Sequence, residues 1–201
     1  MRPFTLPRLL APVMLLCLVL GLAGCTEKTE PFVNTDITGI EYARDFKLTD
    51  HNGTPRTLAD FKGKAVLVFF GYTQCPDVCP TTMAEMAAVM QKLGKDADRL
   101  QVLFITLDPD RDTQALLSRY VPAFDKRFLG LRGDAAATAK VAKDFKVFYQ
   151  KVPGKDPANY TIDHTAGSYV FDPQGRTRLF VRHGQGPEPI VHDIKLLLAK
   201  P

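Results

Sequence analysis

Residues 65–80, AVLVFFGYTQCPDVCP, join an apolar segment to a pair of cysteines. The first six residues are uncharged and rich in β-branched and aromatic side chains, which is typical of a strand covered on both faces. Apolar residues then recur with helical spacing from Met83 to Leu93, and Gly94 ends the pattern. We therefore expect Cys75 to lie between a buried strand and a helix, at the carboxyl edge of a sheet, where open α/β folds bind ligands.

The strand-to-helix order recurs along the chain and predicts a layered α/β fold in a single domain. A hairpin is expected around Asn52-Gly53, because this dipeptide favours the positive φ angles of tight turns. A strand pair turns at residues 172–175, and a closing helix starts at Pro187. The other expected strands are 102–107, 128–131, 146–151 and 160–162, and the other expected helices are 113–123 and 134–145.

The first 24 residues have the character of a secretory signal, with a short basic lead and then an uncharged apolar run that ends in small residues. Residues 22–25, Leu-Ala-Gly-Cys, resemble the lipobox of bacterial lipoproteins, in which the cysteine is lipidated and becomes the mature N-terminus. We expect a signal peptide at 1–24, a lipidated Cys25 and flexible tether at 25–43, and the folded domain at 44–201. The alternative is an unmodified cysteine in an uncleaved anchor. Either way, the domain faces the periplasm or another extracytoplasmic space, held at a membrane.

The composition is that of a globular protein, with 45% hydrophobic and 24% charged residues. Loss of residues 1–24 removes two arginines and lowers the formal net charge from +4 to about +2, which is too small for a nucleic-acid-binding protein. Cys17 leaves with the signal and Cys25 carries the lipid. Cys75 and Cys79 remain as a pair in a compartment where disulfides persist.

The two prolines of the motif shape the cysteine loop, because a residue that precedes proline is disfavoured in helical geometry. We expect Cys79 at the N-cap of a helix over residues 80–93, with Pro80 at its first position. Both sulfurs would then face the positive end of the helix, which lowers thiol pKa values. Thiolates are metal ligands and nucleophiles, so the spacing leaves open a disulfide, a metal site or both. Two cysteines bridged only for stability are a third reading, although so short a loop closes little entropy.

Two thiolates underfill a metal site, so a third ligand is expected among the histidines. His164 in NYTIDHTAG (159–167) is the candidate, because it follows a short strand that could bring it over the helix start. Asp163 could orient its imidazole from the second shell. His51, His183 and His192 are expected to be solvated. Two thiolates and one imidazole suit Cu(I), and with a further ligand Cu(II), whereas structural zinc asks for four ligands.

In order along the chain, GYTQCPDVCP (71–80), DPDRDT (108–113) and DHTAGSYVFDPQG (163–175) resemble the Sco/SenC family of copper chaperones over residues 44–199. The resemblance implies a thioredoxin-like three-layer fold with a central mixed sheet, an N-terminal β-hairpin and an inserted antiparallel pair. It also implies copper ligation by Cys75, Cys79 and His164. The family commonly has histidine at the position of Gln74, which is not a ligand there.

The resemblance further implies work on the dinuclear copper centre of cytochrome c oxidase, either by delivering copper or by reducing the recipient's cysteines. The expected partners are the copper-site subunit of that oxidase and other periplasmic copper carriers, with the domain acting as a monomer. Residues 108–112 are expected to form a loop whose acids cap the following helix, with a role in partner contact.

Three other functions compete with the chaperone. A thiol-disulfide reductase would use Cys75 as attacker and Cys79 as resolver, with a Cys75–Cys79 disulfide in the oxidised state. A peroxidase would need an arginine beside its cysteine, and Arg111 or Arg182 would have to arrive through folding. An interaction domain that works through its surface alone leaves the cysteine pair without a role.

Overall fold

The computed structural model describes residues 31–155 and 159–199, and the compact unit considered below starts at Phe32. The expected signal peptide and the lipidation site at Cys25 lie outside these residues. Within the described ranges, no helix combines the length and the apolar character needed to cross a membrane.

An eight-stranded mixed sheet forms the centre of the domain, with strand order β1-β10-β9-β4-β5-β6-β2-β3. Strands β4, β5 and β6 are parallel, and the remaining neighbours are antiparallel. A separate two-stranded sheet consists of β7 and β8. The strands are β1 (Thr35–Asp36), β2 (Leu48–Asp50), β3 (Pro55–Arg56), β4 (Ala65–Gly71), β5 (Leu100–Thr106), β6 (Leu129–Arg132), β7 (Tyr149–Pro153), β8 (Tyr160–His164), β9 (Ser168–Phe171) and β10 (Thr177–Val181).

The α/β fold with a central mixed sheet is confirmed, and so are the early hairpin (β2 and β3) and the additional antiparallel pair (β7 and β8). Every residue of β4 and β5 is buried, as their continuous apolar sequence predicts. Successive side chains of β4 enter different cores, with Leu67 and Phe69 on one face and Val68 and Phe70 on the other. Burial of one such side chain contributes about 1.5–3 kcal/mol, so β4 anchors both layers.

Helices cover both faces of the sheet. They are α1 (Val78–Leu93), α2 (Gln114–Tyr120), α3 (Ala135–Asp144) and α4 (Pro187–Ala199). Buried residues of α1, α2 and α4 belong to the core that contains Leu67, whereas α3 packs into the core that contains Val68. This arrangement gives three layers. Helix α1 starts earlier than expected: Asp77 is its N-cap, so Cys79 and Pro80 lie inside its first turn.

The segment before residue 44 differs from the tether that the sequence suggests. From Phe32 onward it packs on the domain, since β1 pairs with β10 and Ala43 is buried in the core. The Asp193 carboxylate of α4 accepts hydrogen bonds from the backbone N–H groups of Val33 and Asn34, at 2.9 and 2.8 Å. It also accepts one from the Asn34 amide side chain. The polar character of residues 32–43 thus reflects paired edge backbone and a buried anchor, and the folded domain starts before residue 44.

His51 is also placed differently from the expected solvated position. Its ring is buried, and Nδ1 accepts a hydrogen bond of 3.0 Å from the backbone N–H of Gly130 in β6. The hairpin turn folds back onto β6, so this histidine satisfies a buried backbone donor. Burial lowers the pKa of His51, which favours the neutral ring that can accept this bond.

The Asp193 anchor can be tested by substitution. We expect Asp193→Ala to lower the free energy of unfolding by about 2–4 kcal/mol, because it leaves buried amide donors without acceptors. Amide hydrogen exchange of Asn34 should accelerate in the same variant. Urea unfolding measures the first effect, with Asp98→Ala as the matched control because that carboxylate is 83% exposed and should change stability by no more than about 0.5 kcal/mol. An Asp193→Ala protein as stable as the control would contradict the anchor.

Candidate metal centre

The cysteine loop starts where β4 ends at Gly71. The backbone N–H of Cys75 donates to the Tyr72 carbonyl at 3.3 Å, which turns the chain back toward the sheet. The backbone N–H of Cys79 donates to Cys75 Sγ at 3.4 Å, so the first turn of α1 faces that sulfur. Cys75 is partly exposed and Cys79 fully buried, and both are free thiols. A Cβ at Gly71 would lie 2.8 Å from Cys79 Sγ, so glycine is required for the buried sulfur to pack there.

His164 is the last residue of β8 and lies over the start of α1. Its Nε2 is 3.4 Å from Cys79 Sγ, and its ring contacts the rings of Phe69 and Tyr72 edge-on. Its Nδ1 lies 2.9 Å from the carbonyl oxygen of Thr165. Because a carbonyl only accepts, Nδ1 carries the proton and Nε2 presents its lone pair to the sulfur.

Asp163 does not occupy the orienting position that the sequence suggests. The Thr165 carbonyl holds Nδ1, while the Asp163 side chain points to solvent. Alternation along β8 explains the difference, since neighbouring residues of a strand point to opposite faces. The Asp163 charge acts on His164 only through space, as the weakest influence on its pKa.

The sulfur atoms of Cys75 and Cys79 and a ring nitrogen of His164 all lie within 4.8 Å of one another. A metal ion bonded at about 2.0–2.3 Å to each would fit among three such atoms after small side-chain shifts. Two thiolates and an imidazole are a donor set suited to copper. The cleft beside them has a volume of about 360 Å³ and is open to solvent, with Cys75, Asp77, Asp163 and His164 among its lining residues.

Burial has the largest effect on the pKa of both Cys79 and His164. Burial raises the pKa of Cys79, which contradicts the expected lowering by the helix terminus. The reason is that Cys79 lies inside the first turn of α1 and beneath the surface, where loss of water outweighs the helix dipole. Burial also lowers the pKa of His164 and so favours the neutral, ligating form of the imidazole. A metal ion would replace the proton on the sulfur.

The segment DPDRD, which the sequence assigned to helix capping, instead holds the cysteine loop. The buried Asp112 carboxylate accepts hydrogen bonds from the Thr73 backbone N–H at 3.1 Å and from the Thr73 hydroxyl at 2.5 Å. It also accepts one from the Thr106 hydroxyl at the end of β5. The N-cap of α2 is Thr113, whose side chain accepts from Leu116 N–H. Burial raises the pKa of Asp112, and these donors oppose that rise.

A second group of side chains in this segment reaches β8. The buried Asp108 carboxylate pairs with the Arg111 guanidinium and accepts a hydrogen bond of 2.7 Å from the Tyr160 hydroxyl. Arg111 also donates to the Tyr160 carbonyl at 2.9 Å and to the Gln74 side chain at 3.2 Å. Sequence reasoning missed these roles. The available signal was three acids directly after a buried strand, at the sheet edge that also carries the cysteines.

Two histidines and two arginines remain from the sequence analysis, and the structure places them in different environments. His183 is exposed, as expected, with Nδ1 at 2.9 Å from the Thr82 hydroxyl. His192 is 38% exposed and contacts Asp193. Arg111 does arrive near the cysteine loop, but its charge is engaged by Asp108, while Arg182 is exposed. This arrangement disfavours a peroxidase, which needs an arginine available to its cysteine.

Comparison with known proteins gives consistent matches. The sequence model of the SCO1/SenC family matches residues 35–199. A SCO2-like protein of Rickettsia felis is 34% identical over 188 residues, covering 93% of this chain and 92% of the relative. The mitochondrial SCO2 homolog of Mus musculus is 38% identical over 157 residues, covering 77% of this chain but only 62% of the mouse protein.

Two solved structures are similar in both sequence and fold. Copper-bound ScoI of Bradyrhizobium japonicum is 46% identical with a TM-score of 0.70, and the match covers 75% of this chain and 96% of that one. Apo Sco1 of Thermus thermophilus is 38% identical with a TM-score of 0.74, and the match covers 85% of this chain and 99% of that one. These likenesses confirm the thioredoxin-like fold that the family resemblance implies.

The burial of His164 predicts a pH effect on the metal-free, reduced protein. Because burial lowers the pKa of His164 and His51, the unfolded chain binds protons at pH values where the folded chain does not. Stability should therefore fall as pH drops below about 6.5, by up to about 1.4 kcal/mol per pH unit for each histidine. In His164→Gln, one of the two contributions disappears and the slope becomes smaller.

Urea unfolding between pH 5.5 and 7.5, with a chelator and a thiol reductant, measures this slope. His183→Gln, which removes an exposed histidine ring, serves as the matched control variant. Equal slopes in wild type and His164→Gln would contradict a buried neutral His164.

Proposed function

The chain belongs to the SCO1/SenC family, and from that premise we propose that it is a membrane-tethered copper chaperone. It binds copper through Cys75, Cys79 and His164. It delivers this copper to the dinuclear copper site of cytochrome c oxidase, or prepares that site to receive it. Among the similar structures, those from Bradyrhizobium japonicum and yeast have copper bound, which supports copper as the cargo.

The observation that carries the proposal is the convergence of two sulfurs and one imidazole nitrogen within 4.8 Å. These atoms come from the loop after β4, the first turn of α1 and the end of β8. The Thr165 carbonyl fixes the imidazole with its lone pair toward Cys79. A lone surface histidine would have no need for such a fixed tautomer next to two thiols.

The three proposed ligands differ in solvent exposure, and this difference indicates the order in which they release copper. Cys75 and His164 line the open cleft, whereas Cys79 is fully buried. A recipient thiol or imidazole can therefore approach from the cleft and replace Cys75 or His164 first, while Cys79 retains the ion. Stepwise ligand exchange avoids releasing free copper.

The proposed location rests on the N-terminal sequence. Lipidation at Cys25, after removal of residues 1–24, would hold the domain at a membrane, facing the periplasm or another extracytoplasmic space. Attachment at Cys25 would restrict the search for partners to the membrane surface. The partners are the copper-site subunit of cytochrome c oxidase and other periplasmic copper carriers, and the domain acts as a monomer.

A second candidate function, thiol-disulfide reductase, is favoured by the unequal burial of the cysteines. Cys75 is partly exposed and its sulfur accepts the Cys79 backbone N–H, so in this function Cys75 is the attacking residue and reacts as the thiolate. This thiolate would attack a substrate disulfide and release one substrate thiolate. Cys79 would then displace the second substrate thiolate by forming the Cys75–Cys79 disulfide. Two electrons pass to the substrate, whose released thiolates take up protons from Cys79 and the solvent.

Copper titration tests the chaperone function. We expect the reduced soluble domain to bind about one copper ion per chain and the oxidised domain to bind none, because the disulfide consumes both thiolates. Cu(II) should give a sulfur-to-copper charge-transfer absorption that is absent in Cys75→Ala. His164→Ala should lower copper affinity at least tenfold, or about 1.4 kcal/mol.

The matched control is His192→Ala, which removes a histidine of α4 and should leave copper affinity unchanged. A fully reduced wild-type domain that binds no copper would contradict the proposal. Equal affinity in wild type and His164→Ala would remove the histidine from the ligand set.

Disulfide turnover tests the reductase function. His164→Ala should retain the rate of reduction of a peptide disulfide, whereas Cys75→Ala should abolish it. Cys79→Ala should stop at a mixed disulfide between Cys75 and the substrate, detectable as a mass increase equal to the bound peptide. Mixed disulfides at Cys79 in a Cys75→Ala protein would reverse the assigned roles.

A further inference from the structure

The third ligand of the proposed copper site stands on an element outside the main sheet. Strands β7 and β8 pair only with each other among the described strands, so no sheet register fixes His164 relative to the cysteines. Side-chain contacts have to do so. Ile162 of β8 packs in the core beneath the hairpin. Other hairpin side chains contact residues 108–111, since Tyr160 bonds to Asp108 and Lys151 bonds to Asp110.

Arg111 is the residue of this segment that contacts both halves of the site. One guanidinium nitrogen, Nη1, donates to Gln74, directly before the first cysteine, and to the carbonyl of Tyr160 at the start of β8. The guanidinium also lies 3.5 Å from the centroid of the Tyr160 ring. The buried Asp108 carboxylate holds its Nε side and, through a second oxygen, the Tyr160 hydroxyl.

We propose that Arg111 is a positioning residue for copper: it holds the β7–β8 hairpin against the cysteine loop so that His164 stays within ligand distance of Cys75 and Cys79. This inference rests on the proposed function and adds a residue to it. Arg111 touches none of the three ligand atoms and acts through Tyr160 and Gln74. Its planar fork suits this task, because a lysine ammonium cannot stack on the ring and bridge two carbonyl acceptors in fixed directions.

A nearby ion pair supplies a matched control. Lys151 of β7 bonds to Asp110 at 2.8 Å, so it joins the same hairpin to the same loop. Its side chain is 49% exposed and that of Asp110 is 65% exposed, compared with 15% for Arg111 and 0% for Asp108. Exposed pairs contribute little to holding elements together, whereas buried, multiply bonded pairs fix geometry. Removal of Lys151 should therefore change the site much less than removal of Arg111.

The experiment compares wild type, Arg111→Gln, Arg111→Lys and Lys151→Gln in two ways. In the metal-free reduced protein, nuclear Overhauser contacts between the His164 ring and the Phe69 and Tyr72 rings report the ligand's position without copper. Cu(II) affinity, measured by competition with a chelator, reports its effect. We expect Arg111→Gln to weaken the ring contacts and lower Cu(II) affinity at least tenfold, Arg111→Lys to restore little, and Lys151→Gln to stay within twofold of wild type.

A double variant separates positioning from other roles. If Arg111 acts through His164, then Arg111→Gln combined with His164→Ala should bind Cu(II) within twofold of His164→Ala alone. Additive losses, or unchanged affinity and ring contacts in Arg111→Gln, would overturn the inference. A wild-type protein that binds no copper would overturn the proposed function. Weakened ring contacts in metal-free Arg111→Gln would still support the positioning role of Arg111. If Arg111→Gln does not fold, Gln74→Ala removes the bond between Arg111 and the cysteine loop while leaving Arg111 in place, and unchanged Cu(II) affinity and ring contacts there would overturn the inference.

Discussion

The geometry of the site depends on two carboxylates that are buried without lying among the proposed ligands. Asp112 accepts hydrogen bonds from Thr73 and Thr106, and so binds the cysteine loop to the end of β5. Asp108 holds Arg111 and Tyr160, and so binds the hairpin to the same segment. Burying a carboxylate is costly unless its oxygens are satisfied, and each of these satisfies them with groups from different elements. Because a buried carboxylate without partners would destabilise the fold, these hydrogen bonds hold the cysteine loop, β5 and the β7–β8 hairpin together.

Much of the fold was predictable because its strongest signals are local. Continuous apolar runs gave β4 and β5, and the dipeptide Asn52-Gly53 gave the hairpin turn. The cysteine pair at the carboxyl edge also follows from chain order alone. The segment at 32–43 was mistaken for a tether because its anchor is Asp193, which is 159 residues from Asn34 in sequence. No local pattern can reveal a hydrogen bond over that separation.

The candidate site shows the same division. The three residues Cys75, Cys79 and His164 could be selected from residue chemistry and motif resemblance, and the structure brings them together. The direction of the Cys79 pKa shift could not be predicted in this way, because it depends on how deeply Cys79 is buried rather than on its place near a helix start. The prediction that Asp163 orients the His164 ring was wrong for a related reason. Adjacent strand residues face opposite sides, and only the structure shows which of the two faces inward.

The proposed ligands come from two parts of the chain, the cysteine loop with the start of α1 and the β7–β8 hairpin, and this division has a chemical consequence. The thiols belong to one continuous stretch of chain, and Cys79 Sγ packs against Gly71, so we expect the sulfur pair to persist whether or not the hairpin is in place. The imidazole joins only when the hairpin is docked. A two-coordinate sulfur site is sufficient for Cu(I), whereas Cu(II) favours additional nitrogen donors. The affinity for the oxidised ion should therefore be the more sensitive to hairpin docking, and a partner that displaces the hairpin would weaken Cu(II) binding while the sulfurs still retain Cu(I).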